Sequence, residues 1–390
     1  MATNFLLLSK FSVLGVLLAL ATTHPTSCSC HYTSIFSFGD SLIDTGNLLR
    51  LQHNNASFEC WFPYGITYFH HPTGRCSDGR LIIDFIAEYL GLPFVPPYLS
   101  RGSGGQDFRH GVNFAVGGAT ALDYNFNEHG GTHDSRINNS LAIQLRWFKE
   151  LLPSLCDSDS KCRDLFSRSL FIVGEIGGND YSLALNRGRS LEEIKSLVPR
   201  VINNISSAIQ MFIQENGAVT LLVPGHLPYG CFPVFLTDFK SPNEEDYESE
   251  TGCLRWLNQL SEFNNHLLQE EIHRLRHLHP HVTIIYADLY NAVKAIFRSP
   301  DKFGFRKGAL LLTCCGGEGP YNYNKSVHCG VRGAKVCQDP SQYGSWDGTH
   351  MTEAVYRVIA TGLMEGPYAI PPFNLSHLLP LLQNAAHVSY

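Results

Sequence analysis

Short apolar runs alternate with longer amphipathic stretches, and this alternation restricts the fold more than any other feature of the chain. Runs at 34–38, 112–115, 170–173, 219–223 and 282–286 have strand length, and each is followed within two residues by Gly, Pro or Asp. Between them, 81–90, 142–152, 191–213, 254–278 and 352–363 space their apolar residues as helices do. Strand–helix alternation predicts an α/β fold of three layers, α/β/α, around a mainly parallel five-stranded sheet. Helices on both faces explain why runs such as LLV and TIIY are continuous rather than alternating. No repeat of fixed period and no low-complexity tract interrupts the pattern. With 390 residues, 44% hydrophobic and 16% charged, the chain is neither disordered nor a coiled coil.

A formal net charge of −6 leaves no basic footprint for nucleic acid. Twelve cysteines point to an oxidising compartment. The N-terminus agrees: 5–21 is apolar apart from Ser9, Lys10 and Ser12, its run after Lys10, 11–21, is too short to span a bilayer, and small and polar residues follow at once. This order predicts a secretory signal peptide at 1–29, cut somewhere within 21–30, ahead of a single domain at 30–390. No later apolar run has spanning length, so a soluble extracellular protein, of the apoplast or cell wall, is expected, with the vacuole as the alternative. Five Asn-x-Ser/Thr acceptors, Asn55, Asn138, Asn204, Asn324 and Asn374, predict surface glycans. Cys156 with Cys162 and Cys231 with Cys253 are candidate bridges. Cys314, Cys315, Cys329 and Cys337, in a glycine-rich stretch, fit disulfides better than zinc because paired C-x-x-C ligands are missing. The acidic segment 241–250 reads as a solvated loop. His273 and His277, four apart, read as a polar helix end, since the H-E-x-x-H glutamate is missing.

Open parallel sheets bind ligands beyond the carboxyl ends of their strands. The first strand is followed by Gly39-Asp40-Ser41, the second by Val116-Gly117-Gly118, and the third by Gly174-Glu175-Ile176-Gly177-Gly178-Asn179-Asp180. A hydroxyl, a glycine turn and a carboxamide at three strand ends are the inventory for acyl transfer: a nucleophile plus donors for an oxyanion. Ser41 needs a base, and Trp346-Asp347-Gly348-Thr349-His350 offers one on a short loop, where Asp347 can orient the His350 imidazole toward Ser41. No G-x-S-x-G is present, so the nucleophile elbow of the α/β-hydrolases is absent. Asp40 and Asp44 are read as hydrogen-bonding the loop backbone, and Arg75, Asp78 and Arg80 as a salt-bridged loop near the site. The role of Glu175 stays open.

FGDSLIDTGN (38–47) resembles the first block of the GDSL esterase/lipase family, the SGNH hydrolases. GVNFAVGGA (111–119), GGND (177–180) and DGTH (347–350) are similar to its other blocks, in order and with comparable spacing. FPYGITYFHHPTGRCSDGRLIIDFIAEYLGLP and GPYNYN resemble the plant branch that includes acetylajmaline esterase and sinapine esterase. The resemblance implies a flavodoxin-like SGNH fold and a Ser41–His350–Asp347 triad. It also implies an oxyanion hole built from the Ser41 N–H, at a helix N-terminus, the Gly118 N–H and the Asn179 side chain. It implies an esterase that removes an acetyl or aromatic acyl group from a small-molecule natural product or cell-wall ester. No cofactor and no metal are called for, and a monomer is expected. An acyltransferase using the same serine is the alternative. A binding protein with a retired site is disfavoured because every site residue is present. A glycoside hydrolase is disfavoured because no acidic pair is placed convincingly on strand ends for that chemistry. No amphipathic lid segment is legible, which argues against a lipase in the strict sense.

Overall fold

The computed structural model describes residues 32–51, 61–101, 107–123 and 139–373. The expected leader lies outside these residues, as do Asn55, Asn138 and Asn374. Five parallel strands, β1 (Ser34–Phe38), β2 (Gly111–Asn113), β3 (Ser169–Val173), β4 (Thr220–Pro224) and β5 (Thr283–Ala287), stand in the order β2-β1-β3-β4-β5. All but β1 are shifted by about a residue from the predicted runs. The five-stranded expectation needs a correction: Ala369–Ile370 adds a sixth strand, antiparallel to β5 with Tyr286 opposite Ile370. Two residues ahead of a proline carry no strand signal of their own.

Every residue of β1, β3, β4 and β5 is buried, as two-sided coverage requires. On one face lies an aromatic core. Phe36 and Phe38 of β1 and Phe171 of β3 meet Phe148, Phe166 and Phe212 from the covering helices, with Phe38 and Phe212 centroids 4.7 Å apart. Phe148 sits edge-on to Phe36, Phe38, Phe114 and Phe212, the arrangement ring quadrupoles favour.

Helix Leu191–Met211 shows how sequence fixes an element. Ser190 accepts a hydrogen bond from the Glu193 amide at 3.3 Å, and Glu193 accepts one from the Ser190 amide at 2.8 Å, closing a capping box. Ile194, Val198, Val201, Ile202, Ile205 and Ile209 then repeat at helical spacing, and all are buried. Helices Ile82–Tyr89, Leu141–Leu155, Arg255–Leu278 and Glu353–Met364 lie where periodicity put them. Helices Asp159–Ser167, Gly178–Asn186, Pro233–Asp238 and Leu289–Arg298 were not legible.

Four disulfides join Cys156–Cys162, Cys231–Cys253, Cys314–Cys337 and Cys315–Cys329 among the described residues. Two surface expectations are corrected. Asn204 is exposed, with its Nδ2 donating to the Ala121 carbonyl at 2.9 Å, but Asn324 is half-buried, its Nδ2 donating to the Glu318 carbonyl at 3.1 Å. Segment 241–250 is not wholly solvated: the Glu248 carboxylate pairs with the buried ammonium of Lys294 and accepts from Asn258 Nδ2 at 2.8 Å. His273 and His277 are exposed, with their Nε2 atoms 3.0 Å apart. No described helix is long and apolar enough to cross a membrane.

Candidate active site

The strand order reverses at β1, whose neighbours are β2 and β3, and a crevice opens at such a switch point. The three strand-end segments meet there. Asp44 ties the first to the second: its carboxylate accepts from the amides of Gly46 (2.7 Å), Asn47 (2.6 Å), Leu48 (3.0 Å) and Gly117 (2.9 Å). Burial raises the Asp44 pKa, and those four amides pull it back only in part. Gln144 clamps the Gly39 peptide from both sides, accepting from its N–H at 2.9 Å and donating to its carbonyl at 2.8 Å.

Ser41 lies in the turn after β1. Its Oγ is 2.8 Å from His350 Nε2, across 309 positions of chain. The other ring nitrogen, Nδ1, is 2.6 Å from Asp347 Oδ2. A carboxylate at that distance takes the Nδ1 hydrogen and leaves Nε2 of the neutral ring as acceptor for the Ser41 hydroxyl. Asp347 Oδ1 accepts from the amides of Thr349 (2.9 Å) and His350 (2.8 Å), so the same short loop orients acid and ring. Burial acts to raise the Asp347 pKa, but the His350 charge and these hydrogen bonds outweigh it, and the carboxyl stays below its ordinary range. Tyr64 adds a donor that the sequence did not reveal, its hydroxyl giving to Asp347 Oδ2 at 2.8 Å.

The loop itself is carried by the disulfide region. The Cys315 amide donates to the Trp346 carbonyl at 2.6 Å and the Cys314 amide to Ser345 at 2.9 Å. Trp346 is fully buried beside Tyr64 and the half-cystines.

Gly118 has φ +79°, in the left-handed region that glycine favours, at the turn after β2. Asn179 stands in the first turn of helix Gly178–Asn186. Its Nδ2 donates to Asp40 Oδ2 at 3.0 Å and to the Ala119 carbonyl at 2.9 Å. One expectation is corrected here: Ser41 is not at a helix N-terminus, because 41–43 form a turn and the next helix begins at Asn47. The helix start belongs to Asn179 instead. Asp180 holds the amides of Ala121 (2.8 Å) and Leu122 (3.1 Å), and burial pushes its pKa up to about 7. In the neighbouring loop Arg75 pairs with Asp84 and Arg80 with Glu88 and Glu353, as a salt-bridged reading expects. Asp78 differs: it accepts from the Glu353 amide at 2.7 Å, at the start of the helix after His350, rather than pairing with an arginine.

A GDSL-like lipase/acylhydrolase family model matches residues 35–363. A GDSL esterase/lipase of Arabidopsis thaliana is 51% identical over 389 residues, covering 99% of this chain and 97% of its own. Another from the same plant is 53% identical, covering 90% and 89%. A sinapine esterase of Brassica napus is 48% identical, covering 96% and 94%. A mainly parallel sheet that brings these four blocks to one crevice, and relatives alike over nearly the whole chain, lead to one conclusion: the chain belongs to the plant GDSL esterase/lipase family and is a carboxylic ester hydrolase.

Proposed function

We propose that Ser41 is the nucleophile, His350 its general base and Asp347 the group that orients the imidazole. The contact that carries this reading is Ser41 Oγ to His350 Nε2 at 2.8 Å, continued by His350 Nδ1 to Asp347 Oδ2 at 2.6 Å. As Oγ attacks the ester carbonyl, its proton passes to Nε2, and Asp347 stabilises the imidazolium that results. The carbonyl oxygen becomes an oxyanion, received by the Ser41 and Gly118 amides and by Asn179 Nδ2. Both Asn179 hydrogens are held by protein oxygens, so the side chain serves as a three-centre donor. The imidazolium then protonates the leaving alkoxide. Water, deprotonated by the same ring, attacks the acyl-serine and releases the acid.

The substrate class we infer is an ester of acetate or an aromatic acid on a small plant natural product or cell-wall polymer. The block resemblance supports it, and so does the likeness to a sinapine esterase. We also infer that 1–29 is a leader removed on secretion. The apolar run near the N-terminus and the disulfides of the folded domain support that route.

The test is a panel of acetylated, feruloylated and sinapoylated esters assayed on the purified protein and on Ser41→Ala. Hydrolysis of at least one class is expected, with Ser41→Ala slower by about 10³-fold or more while keeping the native circular dichroism spectrum. Turnover of Ser41→Ala near the native rate would refute the assignment.

A further inference from the structure

A chain of buried polar contacts runs from the reacting centre into the interior, and its middle member is Glu175. Asp40, the residue before Ser41, accepts from the Leu42 amide through Oδ1 at 3.0 Å and from Asn179 Nδ2 through Oδ2 at 3.0 Å. It therefore touches both the turn that carries Ser41 and the Asn179 carboxamide. Its own amide donates to the Glu175 carbonyl at 3.1 Å, and the two buried carboxyl groups lie close enough to act on each other. Behind them, Glu175 Oε1 accepts from the Tyr229 hydroxyl at 2.7 Å and lies 3.1 Å from His226 Nε2. A Cβ on Gly178 would sit 2.1 Å from the Tyr229 hydroxyl, so that phenol reaches Glu175 only past a glycine.

Glu175 cannot be a substrate contact, being only 2% exposed. Its other surroundings include a cavity of about 20 Å³ walled by Leu42, Ile43, Ile82, Ile86 and Leu222. Two neighbouring carboxyl groups buried in such a place are not both ionised, and a proton between them relieves the repulsion. Burial, then the neighbouring carboxyl, raises Asp40 well above its ordinary range, and burial pushes Glu175 up to about 7. His226 supplies no compensating charge, because burial drives its pKa down to about 4 and the ring is neutral. The other titratable groups facing the pair are Asp180 and Tyr181 on the helix after β3, Tyr229 after β4, His350, and Tyr356 on the last helix.

We propose that Glu175 is a positioning residue for the reaction at Ser41. The proton it shares with Asp40 locks the Asp40 carboxyl in the orientation that receives Leu42 N–H and Asn179 Nδ2, and so sets the oxyanion pocket. This inference rests on the esterase reading of the site. An unprotonated pair would repel, swing Asp40 away and release the Asn179 amide. A glutamine at 175 keeps the shape and offers Asp40 a permanent N–H in place of the shared proton.

The test compares native protein, Glu175→Gln, Glu175→Ala and Ser41→Ala on p-nitrophenyl acetate, recording kcat, KM and the thermal midpoint across neutral and alkaline pH. Glu175→Ala is expected to lower kcat about 30-fold with KM within about twofold, since a displaced oxyanion donor costs transition-state rather than ground-state binding. Glu175→Gln should keep kcat within about threefold, because the donor to Asp40 survives. Native kcat should decline at the alkaline end as the last shared proton leaves, and the glutamine variant should not follow. Should Glu175→Ala fail to fold, Asp40→Asn substitutes for it: this variant turns a donor toward Asn179 Nδ2 and should show the same loss in kcat alone. Native kcat in Glu175→Ala, equal impairment in alanine and glutamine variants, superimposable pH profiles, or a raised KM at constant kcat would each overturn the inference. If the native protein shows no Ser41-dependent hydrolysis, the esterase reading fails and this inference with it. If Ser41→Ala is inactive while changes at 175 leave kcat alone, only this inference fails.

Discussion

At the scale of single residues, the site is a set of polar atoms held by partners from remote segments of the chain. Tyr64 is the clearest addition to what the motifs contained. It lies in the resembling stretch that begins FPYG, but an aromatic in a loop gives no hint that its hydroxyl reaches Asp347 at 2.8 Å, 283 positions away. A hydrogen bond to a charged group contributes about 1.5–3 kcal/mol, so Tyr64→Phe should lower kcat roughly 10- to 100-fold with little change in KM. Steady-state kinetics on any substrate of the panel checks this, and a native kcat would mean that the Asp347 orientation needs only its own loop. Ser41, Asp347 and His350 stand out in the sequence as candidates because each sits inside a short block whose reactive residue is named by the pattern. Glu175, Asp40 and Gln144 were visible as letters, but their partners were not. Gln144 carried one faint signal, a polar residue on the buried face of a helical run.

Among secondary-structure elements, periodicity recovered what was long and one-sided. Helix Arg255–Leu278 and helix Leu191–Met211 have enough turns for an apolar stripe to stand out, and their ends fell within a few residues. Short elements were lost for physical reasons. Helix Gly178–Asn186 opens on two glycines that read as a turn, and helix Leu289–Arg298 starts at Asp288, which reads as the stop after β5. In the structure the Asp288 side chain caps it, accepting from the Asn291 amide at 3.1 Å. The edge strand Ala369–Ile370 owes its conformation to β5, and Arg276 binds the Ile370 carbonyl from the long helix. The 314–337 loop has no periodicity at all. Two disulfides give it shape, each constraining the unfolded chain by about 2–4 kcal/mol. Through the Cys314 and Cys315 amides that shape is passed to the loop bearing Asp347 and His350.

Over the whole molecule, the distinctive feature is the number of carboxyl groups buried under the strand ends. Glu175 and Asp180 are both pushed up to about 7 by burial, and Asp40, Asp44 and Asp78 are raised as well. A carboxyl whose folded pKa exceeds its unfolded one binds more protons when folded, so its contribution is full at low pH and is lost as pH rises through about 7. His226, lowered to about 4, and His279, also lowered by burial, have the opposite sign, which acts mainly below their unfolded value near 6.5. From pH 8 down to 6.5 the carboxyls therefore outweigh the histidines. The thermal midpoint should rise over that interval by the equivalent of on the order of 1 kcal/mol. A calorimetric midpoint that is flat or falls between pH 8 and 6.5 would mean that these groups are ionised in the folded protein.

The convergence of four remote segments on one reacting carbon is tested most directly by covalent labelling. Native protein and His350→Ala are treated with an organophosphonate ester, digested and mapped by mass spectrometry. One adduct on Ser41 is predicted, forming faster as the imidazole loses its proton and slowed by a factor of about 10³ or more in His350→Ala. An adduct on another residue, or a Ser41 adduct that forms equally fast without His350, would contradict the account.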